Sequence, residues 1–169
     1  MKLNIGGEEP KNEWKILNIQ NKPHVDFVGD ISDLSQFGDN AIEEIYASHV
    51  LEHVSQIKML QTLKGIRRVL RPGGKFYISV PDLDILCHTF INPIITLDIK
   101  YHVMRMMFGG QIDPHDFHFF GWNQALLWDQ LTHAGFSSAE RVGSFGLFKD
   151  TSDYAPYGFP ISLNVIATK

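Results

Sequence analysis

The chain has 169 residues, 44% of them hydrophobic and 20% charged, with a formal net charge of −4. This length favours a single domain over residues 1–169, and the apolar fraction is enough for a core, which excludes a disordered chain. No Lys/Arg run stands out beyond the short KGIRRVLR segment, so no nucleic-acid partner is expected.

One cysteine, Cys87, excludes a disulfide framework and suits a reducing, cytoplasmic setting. With a strand-like start at Lys2, no signal peptide is expected. No apolar run reaches the ~18 residues of a membrane span.

In chain order, Lys2–Ile5 is a short apolar run that ends in Gly6-Gly7. Trp14–Ile19 is a second strand, and the polar residues between, with Pro10, are too few for a packed helix. Val25–Val28 is a third strand and runs into Gly29-Asp30-Ile31-Ser32-Asp33-Leu34. Ile42–Ala47 is the fourth. Over Val50–Leu70, apolar Leu51, Val54, Ile57, Leu60, Leu63, Ile66 and Leu70 recur near the helical period. Arg71-Pro72-Gly73-Gly74 ends that helix, because proline cannot continue it and glycine takes positive φ. The cations of KGIRRVLR then sit near the helix C-terminus, where they complement its dipole.

Lys75–Val80 is the fifth strand. Asp82–Gly110 is apolar, and Pro93 divides it into two helical pieces. Ile112–Trp122 is a loop rich in His, Asp and Phe. Asn123–Ala134 is a helix stopped by Gly135, and Ser138–Val142 and Ser162–Ala167 are two late strands. Strands alternating with helices, then a closing strand pair, predict an α/β domain with a mostly parallel twisted sheet and an antiparallel C-terminal strand. In such sheets ligands bind beyond the carboxyl ends of the strands, so the loops after the first four strands are the candidate site.

Four segments carry the chemistry. LNIGGEEP brings a strand into glycines, where the backbone approaches a ligand closely, or where it simply turns. LNIQ closes the second strand. GDISDL follows the third, with Asp30 and Asp33 also able to close local turns. YASHVLEH follows the fourth and is succeeded by LRPGGKFYISVPD. Asp82, beyond the fifth strand, either faces substrate or caps the next helix.

These segments, in this order, resemble the class I S-adenosylmethionine-dependent methyltransferases. The resemblance covers nearly the whole chain and implies a Rossmann-like, three-layer α/β/α fold of seven strands. The usual leading helix and first crossover helix are missing here, which leaves one sheet face thinly covered. The apolar stretch Cys87–Phe108 is expected to cover that face or to form a homodimer surface.

By the same resemblance the cofactor is S-adenosylmethionine, held by Asn4, Gly6, Gly7, Asn18, Asp30, Ile31, Ser48 and His49. Asn18 stands where the family carries a ribose-binding carboxylate, and an amide offers one acceptor with unwanted donors. Glu8 fills a glycine slot of the first motif. Asp30 is the expected acceptor for the adenine amino group. His49, His115 and His118 are the candidate bases, since imidazole titrates near neutral pH. His53 is expected in a structural role.

The loop also holds Asp113 and Asp116, residues that suit zinc or iron. With only four candidate ligands on one short loop and no cysteine among them, no metal is assigned. The expected activity is methyl transfer to a small-molecule or sugar- or lipid-linked acceptor. The rival expectation is a catalytically silent binding or assembly protein of the same fold, favoured by Asn4, Glu8 and Asn18. A nicotinamide-dependent dehydrogenase needs Gly-x-Gly-x-x-Gly where the chain reads GGEEPK. An aminopropyltransferase lacks its glycine-rich start and acid.

Overall fold

The computed structural model describes residues 1–169. Seven strands, β1 (Lys2–Ile5), β2 (Trp14–Asn18), β3 (Phe27–Val28), β4 (Ile42–Ser48), β5 (Leu70–Pro81), β6 (Ser138–Val142) and β7 (Ser162–Thr168), form one sheet of order β3-β2-β1-β4-β5-β7-β6. β1 to β5 pair in parallel, and β7 runs antiparallel to both β5 and β6. The expected parallel sheet with an antiparallel C-terminal strand is therefore present. Its order reverses at β1/β4, the kind of switch point where α/β sheets open a crevice.

Alternation along the strands separates two faces. Leu3, Ile5, Ile45, Ala47, Phe76, Ile78, Val80, Leu163 and Val165 belong to the main core. Over them lie α1 (Gln56–Val69), through Met59, Leu63, Ile66 and Val69, and α4 (Gln124–Ala134), through Leu127 and Leu131. Each such fully buried side chain contributes about 1.5–3 kcal/mol. Asn123 caps α4 by accepting from the Leu126 N–H at 2.9 Å.

The opposite face carries Asn4, Ile16, Tyr46, Tyr77, Ser79 and Asn164, and here the sequence expectation needs correction. No α-helix covers Tyr46; residues 143–153, which end in the 3-10 turn Thr151–Asp153, do. Phe148 packs against Trp14 and Tyr46 with centroids at 5.3 and 4.6 Å. Phe145 meets Tyr46 and Tyr77 edge-on at 5.6 and 5.7 Å. Asn164 Nδ2 donates to the carbonyls of Gly143 and Ser152. The Cys87–Phe108 stretch instead folds into α2 (Leu83–Ile91) and α3 (Leu97–Phe108), which close a small separate cluster of Leu86, Val103 and Ile161.

Two other expectations shift. The Val50–Leu70 helix is split into a 3-10 turn, Leu51–His53, and α1, because Val54 is extended (ψ 131) and Ser55 takes the N-cap position. RPGG is not a loop before β5 but its start, and Leu70 pairs with Ile42 across an irregularity in β4. Gly74 is required there: a Cβ would lie 2.8 Å from the Arg71 carbonyl and 2.9 Å from that of Glu43. No helix is long and apolar enough to cross a membrane.

Candidate active site

A cavity of about 400 Å³ opens at the carboxyl ends of β1, β2, β3 and β4. That size lies in the ~300–1,000 Å³ range of small-molecule sites. Each wall is the residue just past a strand: Gly6 after β1, Asn18 to Gln20 at β2, Gly29 to Ser32 after β3, and Ser48 to Val50 at β4. Pro114, His115 and Phe119 of the loop after α3 close the far side. Of the residues expected to hold cofactor, Gly6, Asn18, Asp30, Ile31, Ser48 and His49 come together here. Among the base candidates, His49 and His115 line it.

Asn4, Gly7 and His118 lie outside the lining. Asn4 falls on the sheet face opposite Leu3 and Ile5, and its amide packs beneath Gly7, where a Cβ would collide with it. His118 turns Nδ1 to the Met106 carbonyl at 3.0 Å. Asn18 lines the cavity, but its amide is already engaged: Oδ1 accepts from the Gln20 N–H at 2.9 Å and Nδ2 donates to the Gly7 carbonyl at 3.2 Å. Its side chain clamps the β1 and β2 loops together. Glu8 and Lys22 join the same two loops across the rim at 2.5 Å.

Several features fit a nucleoside-bearing cofactor. Gly6 has φ +79, and a Cβ there would stand 2.7 Å from Val50 Cγ2, so the backbone passes close under the cavity floor. Asp30 accepts from the Ser32 N–H at 2.8 Å through Oδ1, which fixes its carboxylate in a turn and leaves Oδ2 for a donor. Ile31 is buried and provides an apolar wall.

His49 sits in the left-handed region (φ 53) and is held by its N–H to the Ser79 carbonyl at 2.8 Å. Ser162 Oγ donates to the Thr151 carbonyl, so it accepts from His49 Nε2 at 2.9 Å. His49 Nδ1 thus carries the lone pair, 3.4 Å from Glu52 Oε1. Burial, then the charges of nearby His118 and His53, push His49 down to about 4. Burial pushes Glu52 up to about 8. Both groups are neutral near pH 7, so this contact is not an ion pair.

Glu52 and His53 are the residues whose weight sequence reasoning missed. The signal was present in SHVLEH, but the burial of Glu52 depends on the distant loop: its carbonyl accepts from the N–H groups of Phe119 (2.8 Å) and Phe120 (3.2 Å). Asp82 lies away from the cavity. It caps α2 and accepts from Arg141 Nη2 at 2.9 Å.

Residues 10–78 match a family model described as a methyltransferase domain. The match begins beyond the glycine turn of β1. No curated protein sequence matches the chain. Among solved structures the chain is similar to Burkholderia thailandensis 1,6-didemethyltoxoflavin-N1-methyltransferase, solved with 1,6-didemethyltoxoflavin and S-adenosylhomocysteine (17% identity, TM-score 0.62, covering 99% of this chain and 70% of that one). It is also similar to an S-adenosylmethionine-dependent methyltransferase from Archaeoglobus fulgidus (15%, TM-score 0.59, 99% and 85%). The Haloferax volcanii complex of the Trm112 methyltransferase activator with a methyltransferase gives a further match (16%, TM-score 0.59, 99% and 81%). The chain has the fold of the class I S-adenosylmethionine-dependent methyltransferases, and its residues 10–78, less than half of its length, match a methyltransferase domain.

Proposed function

We propose that this protein is a methyltransferase acting on a small-molecule or sugar- or lipid-linked acceptor. The observation that carries the reading is the cavity at the switch point, walled in turn by Gly6, Asp30, Ile31, Ser48 and His49 and closed by His115. Bound there, S-adenosylmethionine would supply an electrophilic sulfonium methyl for in-line transfer to an acceptor lone pair, with S-adenosylhomocysteine as the leaving group. Gly6 and Ser48 would flank its amino-acid part, and Asp30 would accept from the adenine amino group. His115, exposed on the loop at the acceptor side, takes the proton the acceptor releases. His49, whose Nε2–H is tied to Ser162, orients the floor. Cys87, a free exposed thiol, is in keeping with a cytoplasmic setting. Ile91, Ile94 and Leu97, exposed beside α2 and α3, favour a homodimer through that edge.

Calorimetric titration with S-adenosylmethionine and S-adenosylhomocysteine tests the reading. Micromolar binding supports it. No heat at millimolar ligand, in a protein shown folded, overturns it and leaves the silent binding or assembly protein. The engaged Asn18 amide favours that second reading, because it offers no carboxylate to the ribose hydroxyls.

A further inference from the structure

Beside the cavity floor, Glu52, His53 and His118 each place one ligand atom within 4.8 Å of the other two. They come from the 3-10 turn after β4 and from the loop after α3, which hydrogen bonds from Phe119 and Phe120 to the Glu52 carbonyl lock together. The Glu52 side chain is 1% exposed, and neither carboxyl oxygen has a hydrogen-bond partner. A buried carboxyl in that state is costly unless another group pairs with it.

The imidazoles are arranged in a complementary way. His53 Nδ1 lies 3.1 Å from the Phe117 carbonyl and His118 Nδ1 lies 3.0 Å from the Met106 carbonyl. A carbonyl only accepts, so each Nδ1 carries the proton and each Nε2 keeps its lone pair. The rings meet edge-on with centroids 4.8 Å apart. His49 Nδ1, also a lone pair, stands 3.4 Å from Glu52 Oε1. An outward N–H to a protein oxygen on every imidazole is the orientation that metal-ligating histidines take from their surroundings.

From the three lone pairs and the unpartnered Glu52 carboxyl, we infer that Glu52, His53 and His118, with His49 as the fourth donor, bind one divalent first-row transition metal, the carboxyl releasing its proton to solvent as the ion enters. Nitrogen donors with a single carboxylate suit zinc, cobalt or iron(II) rather than magnesium or calcium. The donors close by roughly an ångström or less to reach zinc–ligand lengths of ~2.0–2.2 Å. His49 and His53 also line the cavity, so the ion sits at its inner end. Sequence spacing along the 112–122 loop alone did not reveal the set, because its members converge only when that loop docks on the turn. The site does not depend on the methyl-transfer reading.

Zinc chloride titrated calorimetrically into chelator-treated protein, without S-adenosylmethionine, tests this. One zinc per chain at micromolar or tighter affinity is expected. Glu52→Gln, nearly isosteric, and His118→Ala should each weaken binding at least tenfold. The Cys87→Ser/His88→Ala double variant, which removes an exposed pair on α2, should bind as the wild type does. Cobalt(II) should give visible d–d bands that Glu52→Gln alters, a readout independent of activity. Folding of each variant is checked by circular dichroism. Absent wild-type binding, or equal binding by wild type, Glu52→Gln and His118→Ala, overturns the inference. Zinc lost only with Cys87 and His88 does the same.

Discussion

The Tyr46 hydroxyl donates to Asp150 Oδ2 at 2.8 Å, tying the central strand β4 to a loop more than a hundred residues further along the chain. The ring is 1% exposed, and burial, ahead of Asp150, raises its pKa well above the ordinary tyrosine value. The hydroxyl therefore stays a donor at all working pH. Together with Phe145 and Phe148 it replaces the helix layer that most α/β sheets carry on this face. Tyr46→Phe keeps the packing and removes the hydrogen bond, at a cost of about 0.5–1.5 kcal/mol in urea unfolding. Hydrogen exchange should quicken at Ser152, whose N–H is held by Asp150 Oδ1, more than at residues of α1. Equal exchange across both regions would contradict this account.

Asp26 predicts an acid-labile edge. Its carboxylate accepts from Lys15 Nζ at 2.7 Å and from the Ile16 N–H at 2.8 Å. The Lys15 hydrogen bond, then that of Ile16, holds its pKa below the ordinary Asp value. A depressed folded-state pKa stabilises above the unfolded value near ~3.9 and is lost as pH falls through the folded one. Stability should decline below about pH 4, and Asp26→Asn should flatten part of that slope. Urea midpoints at pH 6 and pH 3 for both proteins check it; parallel losses would remove Asp26 as a contributor.

Asp82 illustrates a polar group that looks catalytic and is structural. Its side chain is 4% exposed, caps α2 through the Asp84 N–H, and pairs with half-exposed Arg141. Asp82→Ala removes the cap and the pairing, at about 1–2 kcal/mol, a typical value for a lost helix cap. Cofactor affinity should be unchanged, since Asp82 lies outside the cavity. A folded Asp82→Ala protein with weakened binding would return it to the site.

What the sequence made legible follows from the range of the interactions involved. Strands β1, β2 and β4 and the helices on either side of Pro93 rest on local periodicity and breakers, and their positions came out nearly as read. Residues that end strands, Gly6, Asp30 and Ser48, were also legible, because topology alone carries them to the switch point. Less legible were the contacts of individual side chains. Asn4 and Asn18 were assigned by strand position; the first turns to the other face of the sheet, and the second lines the cavity with its amide already held by Gly7 and Gln20. Glu52 becomes buried only because Phe119 and Phe120 bond to its carbonyl, and no local pattern encodes that docking.

Asp30 offers the most direct test of the cofactor pose. Oδ1 is spent on the Ser32 N–H, so only Oδ2 is available to an adenine amino group. Asp30→Ala should weaken S-adenosylhomocysteine binding by about 1–3 kcal/mol, the size of a hydrogen bond to a charged group. Asp33→Ala is the control: it closes a similar turn on Ser35 but does not line the cavity. Calorimetry on both variants distinguishes them, and equal affinities in folded proteins would sink the adenine role.

Gly6 separates backbone strain from steric conflict at the cavity floor. Alanine there meets two obstacles: φ +79, which costs an L-residue about 1–2 kcal/mol, and a Cβ 2.7 Å from Val50 Cγ2. Gly6→Ala should destabilise by more than the conformational cost alone and should weaken cofactor binding, because the floor shifts. In a Val50→Ala background the steric part disappears while the φ cost remains. The double-mutant cycle should therefore show Gly6→Ala costing less in that background than in the wild type, with a coupling of about 0.5–3 kcal/mol. Additive effects would mean that Val50 already moves aside, leaving backbone conformation alone as the reason for glycine at this turn.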